Sequence, residues 1–333
     1  MDRRCKATAA LGLLLALLAA GASARAAAED AVVTLVGTAE LGPGPARENS
    51  GIVASRHHDD TFWMINDSGD APRVYAVRRD GSVHGAARGS ADYVAASPHA
   101  GADGYEVPGV LIAGAINVDW EDIALDSRRR LLVPDFGNNS NARRDLVIYV
   151  LDEPAPSAGR TTWRQRWFFR YPEQTAFPAP EDDFNYDAEA LFTVGDTTWI
   201  LTKHRSDTRT RLYRLPEPAP GQVAEAVLTD SFDVGGRVTA ADASTDGLRL
   251  LVATYDTLWL FERATPSEPF FSAPARRLRF EAQQVEAACF LDVEATTVLL
   301  ADERTALLHE LAVADFEPVP AAELAQRREV SNR

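Results

Sequence analysis

The chain has 333 residues, 49 acidic against 34 basic side chains and a net charge of −15; its 46% hydrophobic content is enough for one large core or two ordinary ones. So acidic a balance argues against a nucleic-acid polymer as partner and favours a soluble chain that attracts cations. Of the two cysteines, Cys5 lies in the N-terminal segment, and Cys289, inside AACFL, reads as a small core hydrophobe, so no internal disulfide is expected.

Residues 1–28 place Arg3, Arg4 and Lys6 ahead of LGLLLALLAA and end in GASARAAA, the form of a Sec-type signal peptide cleaved after Ala24, Ala26 or Ala28. The apolar run is shorter than the roughly 20 residues a span needs. The expectation is a periplasmic or secreted protein with no stable membrane span after cleavage, working as a monomer. Removing this segment takes away Asp2 and four cations (Arg3, Arg4, Lys6 and Arg25), and the net charge moves from −15 to −18.

From residue 29 to 318 the apolar runs are four to eight residues long, rich in Val, Leu, Ile, Trp and Tyr, and bounded by turn residues, which predicts strands. Five stretches share one frame: ENSGIVAS from Glu48, DWEDIALD from Asp119, DAEALFTV from Asp187, RVTAADAS from Arg237 and QVEAACFL from Gln284. After each come a turn and a second run (FWMINDSG, LLVPDFGN, WILTKHRS, LLVATYDT, VLLADERT) and then a third (RVYAV, LVIYVL, RLYRL, LWLFE, LLHEL). Fourth runs such as WRQRWFFRYP, VLTDSFDV and RRLRFE complete the unit. Four antiparallel strands repeated around a ring predict an all-β fold, a β-propeller of four-stranded blades. Five blades are favoured; a sixth is the alternative, because residues 82–116 are long and irregular, with GSADYVAASPHAGADGYEVPG reading as an insertion. The fifth repeat lacks a fourth strand, and AVVTLVGT at 31–38 is expected to supply it and close the ring. Residues 319–333 read as a polar tail or short helix.

Alternate strand residues share a face. Two polar rings should therefore line the axis. The first holds Glu48, Asp119, Asp187, Arg237 and Gln284; the second holds Ser50, Glu121, Glu189, Thr239 and Glu286. Three carboxylates converging on a narrow channel repel unless protonated or neutralised, and an oxygen-only set suits a hard ion, Ca2+ above Mg2+. The second ring is thus the candidate metal site. The bland alternative is a set of polar residues bonding neighbouring strand ends in a water-filled channel.

The ends of the second strands fall at the same mouth, bringing Asp135, Lys203, His204 and Arg205 forward as candidate catalytic residues. Lys203 and Arg205, with Arg304, would hold an anion, while His204 or Asp135 would act as base. Ordinary salt bridging among mouth loops is the competing account. The chain has no G-x-S-x-G elbow, H-E-x-x-H helix or P-loop, which disfavours serine and zinc hydrolases.

The series ENSGI, INDSG, DWEDIALD, DFGNN, DAEALF, TKH and VTAAD resembles a family of exported bacterial β-propellers, in the style of the SdiA-regulated and esterase-like phytase groups, over most of the mature chain. A more distant resemblance is to the calcium-activated nucleotidases (apyrases). These are five-bladed propellers whose axial Ca2+ is held by Ser and Glu side chains of the opening strands. That resemblance implies Ser50, Glu121, Glu189, Thr239 and Glu286 as ligands, while the nucleotide-binding features of that family have no counterpart here. Two functions follow as expectations: a Ca2+-dependent hydrolase of phosphate esters or similar small anionic substrates, or a non-catalytic binding or scaffold module of the cell envelope with a structural metal or none.

Overall fold

A computed structural model describes residues 32–46, 48–85 and 108–328. They form five sheets, each a blade of a propeller. Blade 1 runs from Asn49–Ala54 on the inside through Phe62–Asn66 and Arg73–Val77 to Val110–Ala113; blade 2 from Ala124–Leu125 through Arg130–Asp135 and Val147–Asp152 to Gln165–Arg170. Blade 3 comprises Asp187–Val194, Thr197–Lys203, Arg209–Leu215 and Val227–Asp233; blade 4 comprises Val238–Ala243, Arg249–Thr254, Thr257–Glu262 and Ala275–Glu281. Blade 5 has three long strands of its own, Val285–Phe290, Thr297–Asp302 and Leu307–Ala312. Two short segments, Arg160–Thr162 and Val223–Glu225, add in parallel to the outer edges of the preceding blades and cover them.

The hydrophobic residues partition into five clusters, each shared by two consecutive blades, including blade 5 with blade 1. That last cluster, joining Ile52 and Met64 to Ala287, Cys289 and Leu299, is what makes the ring closed and five-fold. Successive residues of an inner strand serve opposite neighbours: Ile52 packs toward blade 5 and Val53 toward blade 2. The pleat therefore spends its two faces on the adjacent blades.

The N-terminal strap closes the ring at a different place from the one expected. Val32–Thr34 pairs in parallel with Arg279–Glu281 on the edge of blade 4, and only Ala39–Glu40 reaches Leu307–Leu308 of blade 5. The physical reason is burial. Val32 and Val33 are 43% and 40% exposed, so their alternation has no core to enter, whereas Leu41 is buried among the residues that join blades 5 and 1. Blade 1 draws its fourth strand, Val110–Ala113, from the end of the segment read as irregular; the insertion before it lies outside the described residues up to residue 107. At the C-terminus Ala321–Arg328 is a helix that seats Leu324 between blades 3 and 4. Among the described residues no helix is long and apolar enough to cross a membrane.

Candidate functional site

If the pleat faces neighbouring blades, something else must aim side chains at the axis. A β-bulge does so. The ladder between the first two strands skips one residue between Asn49 and Gly51, between Ala188 and Ala190, between Val238 and Ala240, and between Val285 and Ala287. The skipped residues are Ser50, Glu189, Thr239 and Glu286. In blade 2 the same place is occupied by a left-handed turn, with Asp122 at φ 60°, between the Trp120–Asp135 bridge and the Ala124–Leu132 pair. A bulge leaves one residue unpaired and re-aims it. Four of the five expected ring residues, Ser50, Glu121, Glu189 and Glu286, come to one cavity in this way; Thr239 does not line it, and all five are buried.

Ser50, Glu121, Glu189 and Glu286 line a polar cavity of about 220 Å3 at the mouth, together with Glu48, Asn49, Asp67, Asn139, Lys203, Arg205, Arg237, Tyr255, Gln284 and Glu303. Ser50 Oγ donates to Glu121. Glu286 Oε1 accepts from Tyr255 (3.1 Å) and from Gln284 Nε2 (2.9 Å), and Gln284 also donates to Glu303. Glu189 Oε1 and Thr239 Oγ1 are buried without a partner. Burial, followed by the Glu189 charge, pushes the Glu121 carboxyl well up; burial does the same to Glu189, and raises Glu286, against the pull of Lys203.

Lys203 is the residue whose setting differs most from its expected role. Its ammonium lies 3.0 Å from Glu189 Oε2 and 5.4 Å from the Tyr255 ring centre, inside the ring. Burial lowers its pKa, but Glu189, Glu286, Tyr255 and Glu121 more than offset this, and the net shift is upward. It is a fixed cation. Arg205 binds Asp187 through Nε (3.1 Å) and Nη2 (2.6 Å) and also reaches Asn139. Arg304 donates to Gln284 Oε1 at 2.7 Å. All three expected anion holders are engaged internally, so the mouth's free cation is another: Arg237, exposed, has no ion pair among the described residues and lines the cavity.

Asp135 and His204 do not line the cavity. Asp135 accepts from the backbone N–H groups of Val118 (3.3 Å) and Asp119 (3.1 Å) and from Arg143 (2.8 Å), so it shapes the turn that carries Asp119. Burial raises its pKa and Arg143 pulls it back. His204 is buried, its Nδ1 2.6 Å from Asp207, and burial lowers its pKa. The rest of the DFGNN stretch ties blade 2 to blade 3, with Asn138 N–H on Asp187 (2.6 Å) and Asn138 Nδ2 on the Tyr186 carbonyl (3.1 Å).

Beside the ring, carboxylate oxygens of Asp67, Asp119 and Glu121 lie within 4.8 Å of one another. Gly137 makes this possible, since a Cβ there would stand 2.7 Å from Asp119 Oδ2 and 3.0 Å from Glu121 Cγ. Burial, and then the charges of Asp67 and Asp187, push the Asp119 carboxyl up to about 7. Glu303, across the mouth, is likewise raised to about 7 by burial and by Glu286 and Glu48. Sequence reasoning placed Asp119 in the first ring and Glu121 in the second but did not group them with Asp67; the signal was Asp119 and Glu121 alternating on one segment.

Asp122 was missed altogether. It is fully buried, its Oδ2 accepting from Leu191 N–H (2.8 Å) and Ala241 N–H (3.2 Å) and its Oδ1 from Ile123 N–H (2.8 Å), while its own N–H donates to the Ser50 carbonyl (2.7 Å). One residue thus joins blades 1 to 4 directly beneath the ring. Gly51 has to be glycine for this approach, because a Cβ there would meet Asp122 Cα at 2.5 Å.

No protein-family model matches the sequence, and no curated protein matches it. Among solved structures the chain is similar to hydrazine synthase of Kuenenia stuttgartiensis (8% identity, covering 80% of this chain and 72% of that one, TM-score 0.42). It is also similar to the calcium-binding protein regucalcin of Agrobacterium tumefaciens (14% identity, 87% and 96% covered, TM-score 0.41). A third similarity is to virginiamycin B lyase of Staphylococcus aureus (13% identity, 82% and 68% covered, TM-score 0.37). Likenesses this remote carry no argument about ligands, and the five-bladed fold rests on the sheets and inter-blade cores described above.

Proposed function

We propose that this chain is an exported propeller that binds a divalent cation, Ca2+, at Asp67, Asp119 and Glu121, and holds a small oxyanionic ligand such as a phosphate ester over it. The observation that carries the reading is the convergence of those three carboxylates beside a cavity whose lining has six carboxylates against three cations. The donor set fits: it is all oxygen, it leaves the buried Glu189 Oε1 unsatisfied at the adjoining ring, and Gly137 keeps the space open. A bound cation would neutralise the cluster and polarise an oxygen of the ligand.

The protein's own groups would do the rest. Arg237 would meet the anion, and Glu303, titrating near neutrality, is the mouth residue suited to give or take a proton. The engagement of Asp135 and His204 elsewhere supports binding more directly than hydrolysis. Export rests on the N-terminal segment, which has the composition of a signal peptide.

The test is thermal unfolding in chelator and then in Ca2+, with Glu121→Gln and Asp119→Asn alongside, followed by a phosphoester panel. At a concentration 100 times Kd, a ligand of the folded state adds about 2.7 kcal/mol. That should raise the midpoint by about 5–10 °C, given about 2–4 °C per kcal/mol for a chain of this size. A wild type indifferent to Ca2+ would overturn the cation site; turnover unaffected by chelator would overturn metal-assisted chemistry.

A further inference from the structure

Strand alternation and the apyrase resemblance both point to the five ring residues as the metal ligands. They form the ring, yet the ring already contains a cation. Lys203 projects from the end of the second strand of blade 3 into the cavity that Ser50, Glu121, Glu189 and Glu286 line, with 6% of its surface exposed. Its choice is telling. The chain has only two lysines, Lys6 and Lys203, beside 32 arginines. Everywhere else among the described residues the cation facing a carboxylate is a planar guanidinium or an imidazole; on the axis it is a compact ammonium with three donors pointing in different directions. That geometry serves converging oxygens in the way a small metal ion does, and a forked guanidinium does not.

We propose that the five-residue axial ring is a metal site in which Lys203 stands in for the metal, a tethered cation that keeps the ring from binding Ca2+. Two observations independent of the ion pair show that the ring has donor capacity to spare. Glu189 Oε1 and Thr239 Oγ1 are both at least nine-tenths buried and have no partner. Two of the carboxylates are also held in place without the ammonium, Glu286 from outside the ring by Tyr255 and Gln284 and Glu121 from within it by Ser50, so removing the ammonium leaves these donors positioned.

This inference shares Glu121 with the Asp67–Asp119–Glu121 seat but turns on Lys203 and Glu189, which are not part of that seat, so it can fail separately from it. The experiment counts cations per chain, by calorimetry with Ca2+ and by luminescence with Tb3+, in the wild type and in Lys203→Met. The expected result is one more cation bound by Lys203→Met than by the wild type, with a midpoint that falls in chelator and recovers in Ca2+. Should the wild type bind none and the variant one, the tethered cation stands and the proposed seat falls. Unchanged stoichiometry in a folded Lys203→Met, or a wild type whose ring binds Ca2+ with loss on Glu189→Gln, overturns the inference. If Lys203→Met does not fold, the double variant Glu189→Gln/Lys203→Met removes one charge of each sign and keeps the ring's net charge. It should still gain a cation, more weakly, and no gain there also overturns the inference.

Discussion

Replacing Asp122 by alanine should be among the most damaging single changes in the molecule. The carboxylate accepts two N–H groups from other blades, Leu191 at 2.8 Å and Ala241 at 3.2 Å, and all of these groups are buried. Leaving a buried donor unsatisfied costs about 1–3 kcal/mol, so the pair costs about 2–6 kcal/mol. Alanine at φ 60° adds roughly 1–2 kcal/mol, a cost that asparagine tolerates better. The sum, about 3–8 kcal/mol, is a large share of the stability of an ordinary domain. At about 2–4 °C per kcal/mol the midpoint should drop by at least about 6 °C. The assay is thermal unfolding followed by circular dichroism, with Asp122→Asn and Asp242→Ala beside it. Asparagine keeps one acceptor and should fall between the alanine variant and the wild type. Asp242 bonds a single N–H of the next blade, Phe290 at 2.9 Å, and should lose about half as much. An Asp122→Ala protein melting within about 2 °C of the wild type would refute the idea that this carboxylate clasps the blades.

Other outcomes follow from the same geometry. Arg237→Ala should weaken binding of a phosphate ester at least several-fold while leaving the Ca2+-induced rise in midpoint intact, as calorimetry would show, because Arg237 touches none of the three proposed ligands. Glu303 is raised to about 7 in the folded protein, above the ordinary value of about 4.3, so its contribution to stability is complete below about pH 4 and lost as pH rises toward 7. In chelator Glu303 should therefore cost stability between pH 5 and 8, by on the order of 1 kcal/mol once solvent screening is allowed for, and Glu303→Gln should remove that share of the loss and leave the share of Asp119, also raised to about 7. Gly51→Ala should unfold at a markedly lower temperature, since its Cβ would need Asp122 to move. The Cys289 thiol, buried and pushed up by its surroundings, should react with a disulfide reagent only on unfolding, which a denaturant titration would record.

Much of this protein was determined by local sequence. Strand lengths, turns and the five-fold recurrence of one frame are short-range properties, so the propeller and the recurring positions of Ser50, Glu121, Glu189 and Glu286, which line the mouth cavity, could be read directly. What the sequence could not decide was orientation. The face rule assigned alternate residues to the channel, whereas the pleat faces neighbouring blades, and a bulge in four inner strands and a left-handed turn in blade 2 set one residue of each blade apart from it. Nor could it decide who pairs with whom. Lys203, Arg205 and Arg304 looked like hands extended to an anion, and only their distances to Glu189, Asp187 and Gln284 show them occupied. Asp122 was one more acidic residue in DWED until Leu191 and Ala241, 69 and 119 residues away, closed on it. Strand pattern repeats along the chain and is legible there; the charge balance of a ring depends on which residues from five separate blades meet, and that is settled only when the ring closes.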